Sequence, residues 1–400
     1  MISQKFRQTA WYLHHWVGLK LCIFMSFVLF TGSLAVVSNE IDWLLHKGMR
    51  APVYSGSIEW NAMAKAIHRY APEAEILSLN APVDRGFAPY AMVRLPDKSL
   101  RLYFHDPGTG VLQGDYNYMT VQRALRFLHR HLFLPTKIGV PIVSSLAFLL
   151  LISLVTAFVI YKNWWKGFFR FPTANNARRW LVEFHRVAGV WSLWFITLMV
   201  LTGVWYFVES LGGRAVLPNV KVEQPVMETG AAVMALDDNL HSAQLAFPGL
   251  KIKRIIFPSA RNSVFAFHGE FKAVLVRPRA NAVVTDAETS EVLLTSDGRE
   301  FSLHQRISEM ADPLHFGYFG GLATKSIWFV FGLLLTSLSL SGAAIVSSRM
   351  LKKARQDLSV KNITLGSFAP MMWWKWLASV PVFVGLVLLV CKVVFGMSIG

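Results

Sequence analysis

The sequence predicts a membrane all-α core of four helices, with a fifth apolar helix near the C-terminus, carrying two α+β modules in the aqueous space outside. Composition is the first reason: 54% of the 400 residues are hydrophobic and 16% charged, with a mean hydropathy of +0.40, outside the range of soluble domains. The second is a set of five apolar runs, 16–37, 138–161, 187–208, 326–346 and 374–395, each close to the ~20 residues that cross a bilayer. The third is the distribution of a net charge of +16. Segments 1–10, 162–179 and 348–362 hold twelve bases and one acid, whereas 39–135 and 209–325 hold 23 bases against 22 acids. That asymmetry is positive-inside topology, not a nucleic-acid surface, and it places the N-terminus in the cytoplasm.

The elements follow in order. Helix 11–38 comes after Lys5 and Arg7, is too long for a signal-peptide core and has a poor cleavage site at Ala35 to Ser38, so it reads as an uncleaved anchor. Module 39–135 opens with helical apolar spacing at Ala62, Ala66, Ile67 and Tyr70. Strand-like runs at 90–95 and 99–104 and the turn Asp106 to Gly110 come next. Helix 136–161, the basic loop 162–180 and helix 181–208 lead to a second module, 209–321. It shows a helical stretch at 235–247, strand-like runs at 252–257, 263–268 and 273–277, and a turn at Thr285 to Thr289. Helix 322–347, the basic segment 348–372 and helix 373–396 complete the chain. The order of span, outside module, span and basic inside loop occurs twice, so the chain is an internal repeat. Cys22 and Cys391 lie in apolar runs near opposite ends and form neither a CxxC pair nor a CxxCH haem attachment.

The repeat has a register. His14 and His185 each lie 17 residues before a Thr-Gly pair, Thr31-Gly32 and Thr202-Gly203, and each is followed at +4 by glycine, Gly18 and Gly189. A glycine one turn from a histidine leaves a flat slot on the same helix face, which suits a porphyrin edge beside an imidazole ligand. The opposite ends of the second and fourth spans offer Leu128-His129-Arg130-His131 and Leu314-His315-Phe316. Four helices thus present histidines at two depths, the pattern of an antiparallel bundle holding two stacked haems. An interfacial histidine is often only an amphipathic anchor; the shared register is what raises these four above that reading. His15 and His131 remain alternatives to His14 and His129. His105, His268, His46, His68, His241 and His304 read as packed or exposed, and there is no HExxH for zinc. Lys20 and Arg186 would meet haem propionates or reach the headgroups, and the Thr-Gly pairs and Ser341-Gly342 read as close-packing small residues.

These motifs resemble the PepSY-associated transmembrane family of iron-regulated inner-membrane proteins, which includes bacterial siderophore-iron reductases. The resemblance rests on Leu13-His14-His15-Trp16-Val17-Gly18, the Leu128-His129-Arg130 stretch, His185-Arg186-Val187-Ala188-Gly189, Leu314-His315-Phe316-Gly317 and the two module turns, and runs to about residue 350. It implies two periplasmic PepSY-like modules on a bacterial inner-membrane core and two b-type haems held by His14, His185, His129 and His315, with Gly18 and Gly189 beside them. It further implies delivery of electrons to a ferric siderophore. Noncovalent haem follows from the missing CxxCH, and bis-histidine ligation favours outer-sphere transfer. The inside loops are too short for a nucleotide or flavin fold, so the donor is external, a quinol or a cytosolic reductase. Periplasmic iron-handling proteins would be further partners. The alternatives are a siderophore transporter, which needs discontinuous helices near the midplane, and a haem-free scaffold that binds a periplasmic protein through its modules.

Overall fold

The computed structural model describes residues 3–220, 222, 227–259 and 262–394. The last two residues of the predicted helix 373–396 and residues 221, 223–226, 260 and 261 of the second module lie outside them. In chain order the helices are α1 Gln4–Lys20, α2 Cys22–Val36, α3 Ser38–Leu45, α4 Trp60–Tyr70, α5 Val121–His131, α6 Thr136–Ser144 and α7 Leu146–Ile160. They continue as α8 Ala177–Trp191, α9 Leu193–Val208, α10 Thr229–Ala246, α11 Leu303–Phe316, α12 Gly321–Lys353, α13 Val360–Phe368 and α14 Trp374–Val394. The strands are β1 Glu75–Asn80, β2 Tyr90–Arg94, β3 Leu100–His105, β4 Leu112–Asn117, β5 Lys251–Ile256, β6 Val264–Glu270, β7 Asn281–Asp286 and β8 Val292–Ser296. Contacts divide the chain into a helical unit of Met1–Val37, Ala124–Arg214 and His315–Gly400, and a second unit of Ser38–Arg123 and Ala215–Leu314.

Four helical stretches of the helical unit, among the described residues, are long and apolar enough to cross a membrane: Thr136–Ile160, Leu193–Gly213, Tyr318–Lys353 and Trp374–Val393. A fifth span results if α1 and α2 count as one. The protein is a multi-pass membrane protein. Of the spans expected to be continuous, the first is broken: it ends its first helix at Leu21, where φ of −115° leaves the helical region and α1 meets α2 at 68°. The second and third carry one-residue irregularities, at Ser145 and Ser192, both with helical φ and ψ. Leu21 lies seven residues after His14 and Ser192 seven after His185, so these two positions fall at the same place in the repeated register. Within the unit α2 and α8 pack on α12, α1 and α9 on α7, and α14 on α2.

The second unit corrects the expectation of two separate modules. Its strands form one antiparallel sheet in the order β4-β3-β2-β1-β5-β6-β7-β8. The two halves join where β1 pairs with β5, Ser78 opposite Ile256, Leu79 opposite Ile255 and Asn80 opposite Arg254. Each half would otherwise leave an unpaired apolar edge strand; pairing the two edges removes both. Helices α4 and α10 share a core with the sheet in which Met63, Ile67, Leu236, Ile255, Phe265 and Phe267 are fully buried. Asn61 of α4 donates to Asp237 of α10, a second tie between the repeats.

The strand-like run 273–277 is not a strand: Leu275 takes φ of +56°, and Pro278 follows. Four strands have no counterpart in the sequence reading. β7 is buried at every position, so it lacks the alternation that marks a half-exposed strand, and the edge strand β4 carries Gln113, Gly114 and Asp115. The two turns match. Asp106 accepts from the amides of Gly108 and Thr109 at 3.0 and 2.9 Å, and Asp286 from Glu288 and Thr289 at 2.9 and 3.0 Å. Gly110 has φ of +69° and Ser290, at the same place in the second turn, φ of +58°.

Candidate functional site: two histidine pairs

Helix α1 carries His14 and α8 carries His185, and their ring centres lie 6.5 Å apart with planes crossed at 87°. At the other end of the same helices' continuations, His129 and His315 stand 6.2 Å apart, tilted by 35°. Both occupy the last turn of a helix, α5 or α11, that stops just before a span. After α5 the chain turns through Leu132 and Phe133, both at positive φ. After α11 it turns through Gly317 at φ +67°, where an added Cβ would lie 2.5 Å from the Trp328 ring. The two sequence-predicted pairs are therefore brought together, and the alternatives are not. His15 stacks on Trp11 at 5.3 Å, and His131 meets Phe127 with its buried Nδ1 unpartnered among the described residues.

Each of the four rings is held through Nδ1. His14 bonds the Ser153 carbonyl at 3.1 Å and Thr156 Oγ1 at 3.0 Å. His185 bonds Ser341 Oγ at 2.9 Å, His129 the Val28 carbonyl at 2.9 Å and His315 Thr202 Oγ1 at 2.8 Å. The tautomers follow from the partners. A carbonyl can only accept. The hydroxyls of Thr156, Ser341 and Thr202 already donate to the carbonyls of Ile152, Leu338 and Leu198 on their own helices, at 2.6, 3.2 and 2.8 Å. Hence Nδ1–H donates in all four and Nε2 keeps the lone pair, the state of a metal-binding imidazole with its outer nitrogen anchored.

The anchors have a simple logic. His14 and His129 are held by α7 and α2, both in the first half of the chain; His185 and His315 are held by α12 and α9, both in the second. Each pair joins one histidine from each half. The Thr-Gly and Ser-Gly pairs, expected only to pack helices closely, supply these anchors: Thr202 and Ser341 accept from histidines. Gly32 lies against the His129 ring, where an added Cβ would come within 2.6 Å of Cε1, and Gly342 lies against His185. Ser153, Thr156 and Val28 carry no sequence signal, because their role depends on which helix becomes their neighbour. A Cβ added at Gly18 would meet nothing within 4 Å, and one at Gly189 only Leu338 Cδ2 at 3.8 Å, so both glycines border open space.

The spacing tests what these pairs can hold. A first-row metal binds an imidazole nitrogen at about 2.0 Å and the ring centre lies about 1.1 Å beyond, so two trans imidazoles hold their centres about 6.2 Å apart. Both pairs fit. Among the described residues there is no group of three or more histidine, cysteine, aspartate or glutamate side chains able to share a metal. Each pair would bring two imidazole nitrogens to a metal whose remaining ligands came from another group. Lys20 donates from Nζ to the Pro370 carbonyl at 2.6 Å. Among the described residues Arg186 has a buried Nε without a hydrogen bond.

A family model described as the PepSY-associated TM region matches residues 11–349. The chain belongs to this family. The match takes in all four paired histidines and ends before α13 and α14. No curated protein matches the chain.

Of the other histidines, His105 is buried, with Nδ1 on the Gly110 carbonyl at 2.9 Å; burial lowers its pKa. His268 is pushed down to about 4, by burial first and then by Arg254 and Arg279, with Glu309 opposing. Both belong to the sheet and neither faces a second histidine.

Proposed function

We propose that this protein is a di-haem inner-membrane oxidoreductase that passes single electrons across the bilayer to a ferric siderophore in the periplasm. The observation that carries this reading is the pair of imidazole couples with ring centres 6.5 and 6.2 Å apart, each ring anchored as an Nδ1–H donor. Bound at His14 with His185 and at His129 with His315, b-type haem would supply a one-electron carrier near each membrane face.

The chain's own part is positional. Val28, which anchors His129, lies 14 residues beyond His14, and Thr202, which anchors His315, lies 17 beyond His185. A straight helix would put about 21–25 Å between the two depths, and the 68° bend at Leu21 brings them closer in the first half. Two histidines at each site would hold the group, and with both imidazoles bound it would supply outer-sphere electron transfer. Gly18 and Gly189 leave room beside the first pair. The five intra-half hydrogen bonds hold the rings ready, so little ordering remains when a ligand joins the halves. The basic segments at 162–179 and 348–362 orient the first pair toward the cytoplasm, where a quinol or a reductase would donate. The substrate chemistry is balanced by one electron: Fe(III) becomes Fe(II), which hard oxygen donors hold far more weakly, and the chelator survives.

The test is a dithionite-reduced minus oxidised visible spectrum of detergent-purified protein with haem counted as pyridine haemochrome. About two low-spin b-type haems per chain are expected, falling to about one in His185→Ala while the sheet unit stays folded. A colourless protein from haem-replete cells would overturn the proposal. Re-oxidation of the reduced protein by a ferric siderophore, with Fe(II) trapped by a chelator, tests the acceptor.

A further inference from the structure

The two halves of the repeat hold their membrane histidines differently at one end. At the His14 and His185 end the halves agree in that each ring bonds a hydroxyl on the following span, Thr156 or Ser341, His14 sharing its proton with the Ser153 carbonyl as well. At the other end they differ. Thr31 and Thr202 occupy the same register, 17 residues after His14 and His185, yet Thr31 Oγ1 bonds only the Phe27 and Val28 carbonyls of its own helix, and the Val28 carbonyl takes the His129 proton. Thr202 Oγ1 instead accepts from His315, at the shortest of the five distances, 2.8 Å. Tyr206, one turn on, packs its ring on His315 at 5.2 Å.

We propose that Thr202 and Ser341 are potential-setting positioning residues, Thr202 for the redox centre at His129 and His315 and Ser341 for the one at His14 and His185. This rests on the di-haem reading. An imidazole whose Nδ1–H is donated to an oxygen is the more basic ligand through Nε2, and a more basic ligand stabilises the oxidised metal. Removing the acceptor makes the ligand poorer and the centre easier to reduce. Because each hydroxyl serves one pair only, the two centres shift independently, and the pair of variants assigns each midpoint potential to its end of the membrane.

The experiment is a potentiometric titration of the visible spectrum of the full-length protein, with haem content measured first. In Thr202→Val, a near-isosteric change that puts a methyl in place of the hydroxyl, one midpoint is expected to rise and the other to stay, with two haems retained. Thr202→Ser should restore the wild-type value. Ser341→Ala should raise the midpoint that Thr202→Val leaves unmoved. Two haems with both midpoints unchanged in Thr202→Val and Ser341→Ala would overturn the inference and leave the di-haem reading standing. A wild-type chain without haem would remove that reading and the inference with it. Should Thr202→Val fail to fold, Thr202→Ala and Ser341→Ala give the same comparison.

Discussion

Replacing Gly32 with alanine puts one methyl where the structure has least room. The added Cβ would lie 2.6 Å from His129 Cε1, 2.9 Å from Nδ1 and 3.3 Å from Nε2, against an ordinary carbon contact of ~3.5–4.0 Å. The ring must retreat by about 1 Å to restore that contact. It cannot do so and keep its anchor, because Nδ1 is held at 2.9 Å by the Val28 carbonyl one turn back on the same helix. Overpacking of this kind costs about 1–3 kcal/mol, a tolerable loss of stability. The functional loss is larger, since a ligand geometry is right only to within about 0.2 Å. Gly32→Ala is therefore expected to keep its fold and lose one haem of two. The haemochrome assay reads this directly, beside His129→Ala as the positive control. Two haems per chain with unchanged spectra in Gly32→Ala would refute both the placement of His129 and the reasoning from space.

Gly18 makes the opposite case: the protein itself leaves the space beside it empty, so Gly18→Leu should leave the fold intact but displace the haem at His14 and His185. Undiminished haem content in that variant would mean that the macrocycle does not use the slot. His268 gives a pH dependence in the sheet unit. Its value of about 4 when folded, against 6.5 in the unfolded chain, means that the unfolded state binds more protons between those limits. The corresponding stability is present above pH 6.5 and is lost as pH falls toward 4, up to ~3 kcal/mol. Thermal unfolding followed by circular dichroism should show His268→Gln less sensitive than wild type between pH 7 and 5, and equal sensitivity would exclude His268 as the titrating group.

The sequence by itself determined the membrane class, the repeat and the four short stretches whose histidines meet. Each was legible because it is a one-dimensional signal: apolar runs of bilayer length, basic segments at fixed intervals, and a histidine, glycine and Thr-Gly register that repeats at His14 and His185. The tertiary structure decided three things. It chose His129 over His131 and His14 over His15, because two residues a short step apart on a helix face different directions and only the neighbouring helices say which direction holds a partner. It turned Thr202 and Ser341 from packing residues into hydrogen-bond acceptors and brought in Ser153, Thr156 and Val28, whose carbonyl or hydroxyl is unremarkable until another helix brings a ring against it. It fused the two modules through β1 and β5, a pairing between residues 78–80 and 254–256 that no local pattern encodes. An edge strand's need for a partner is visible in sequence; which strand satisfies it is a matter of where the chain returns.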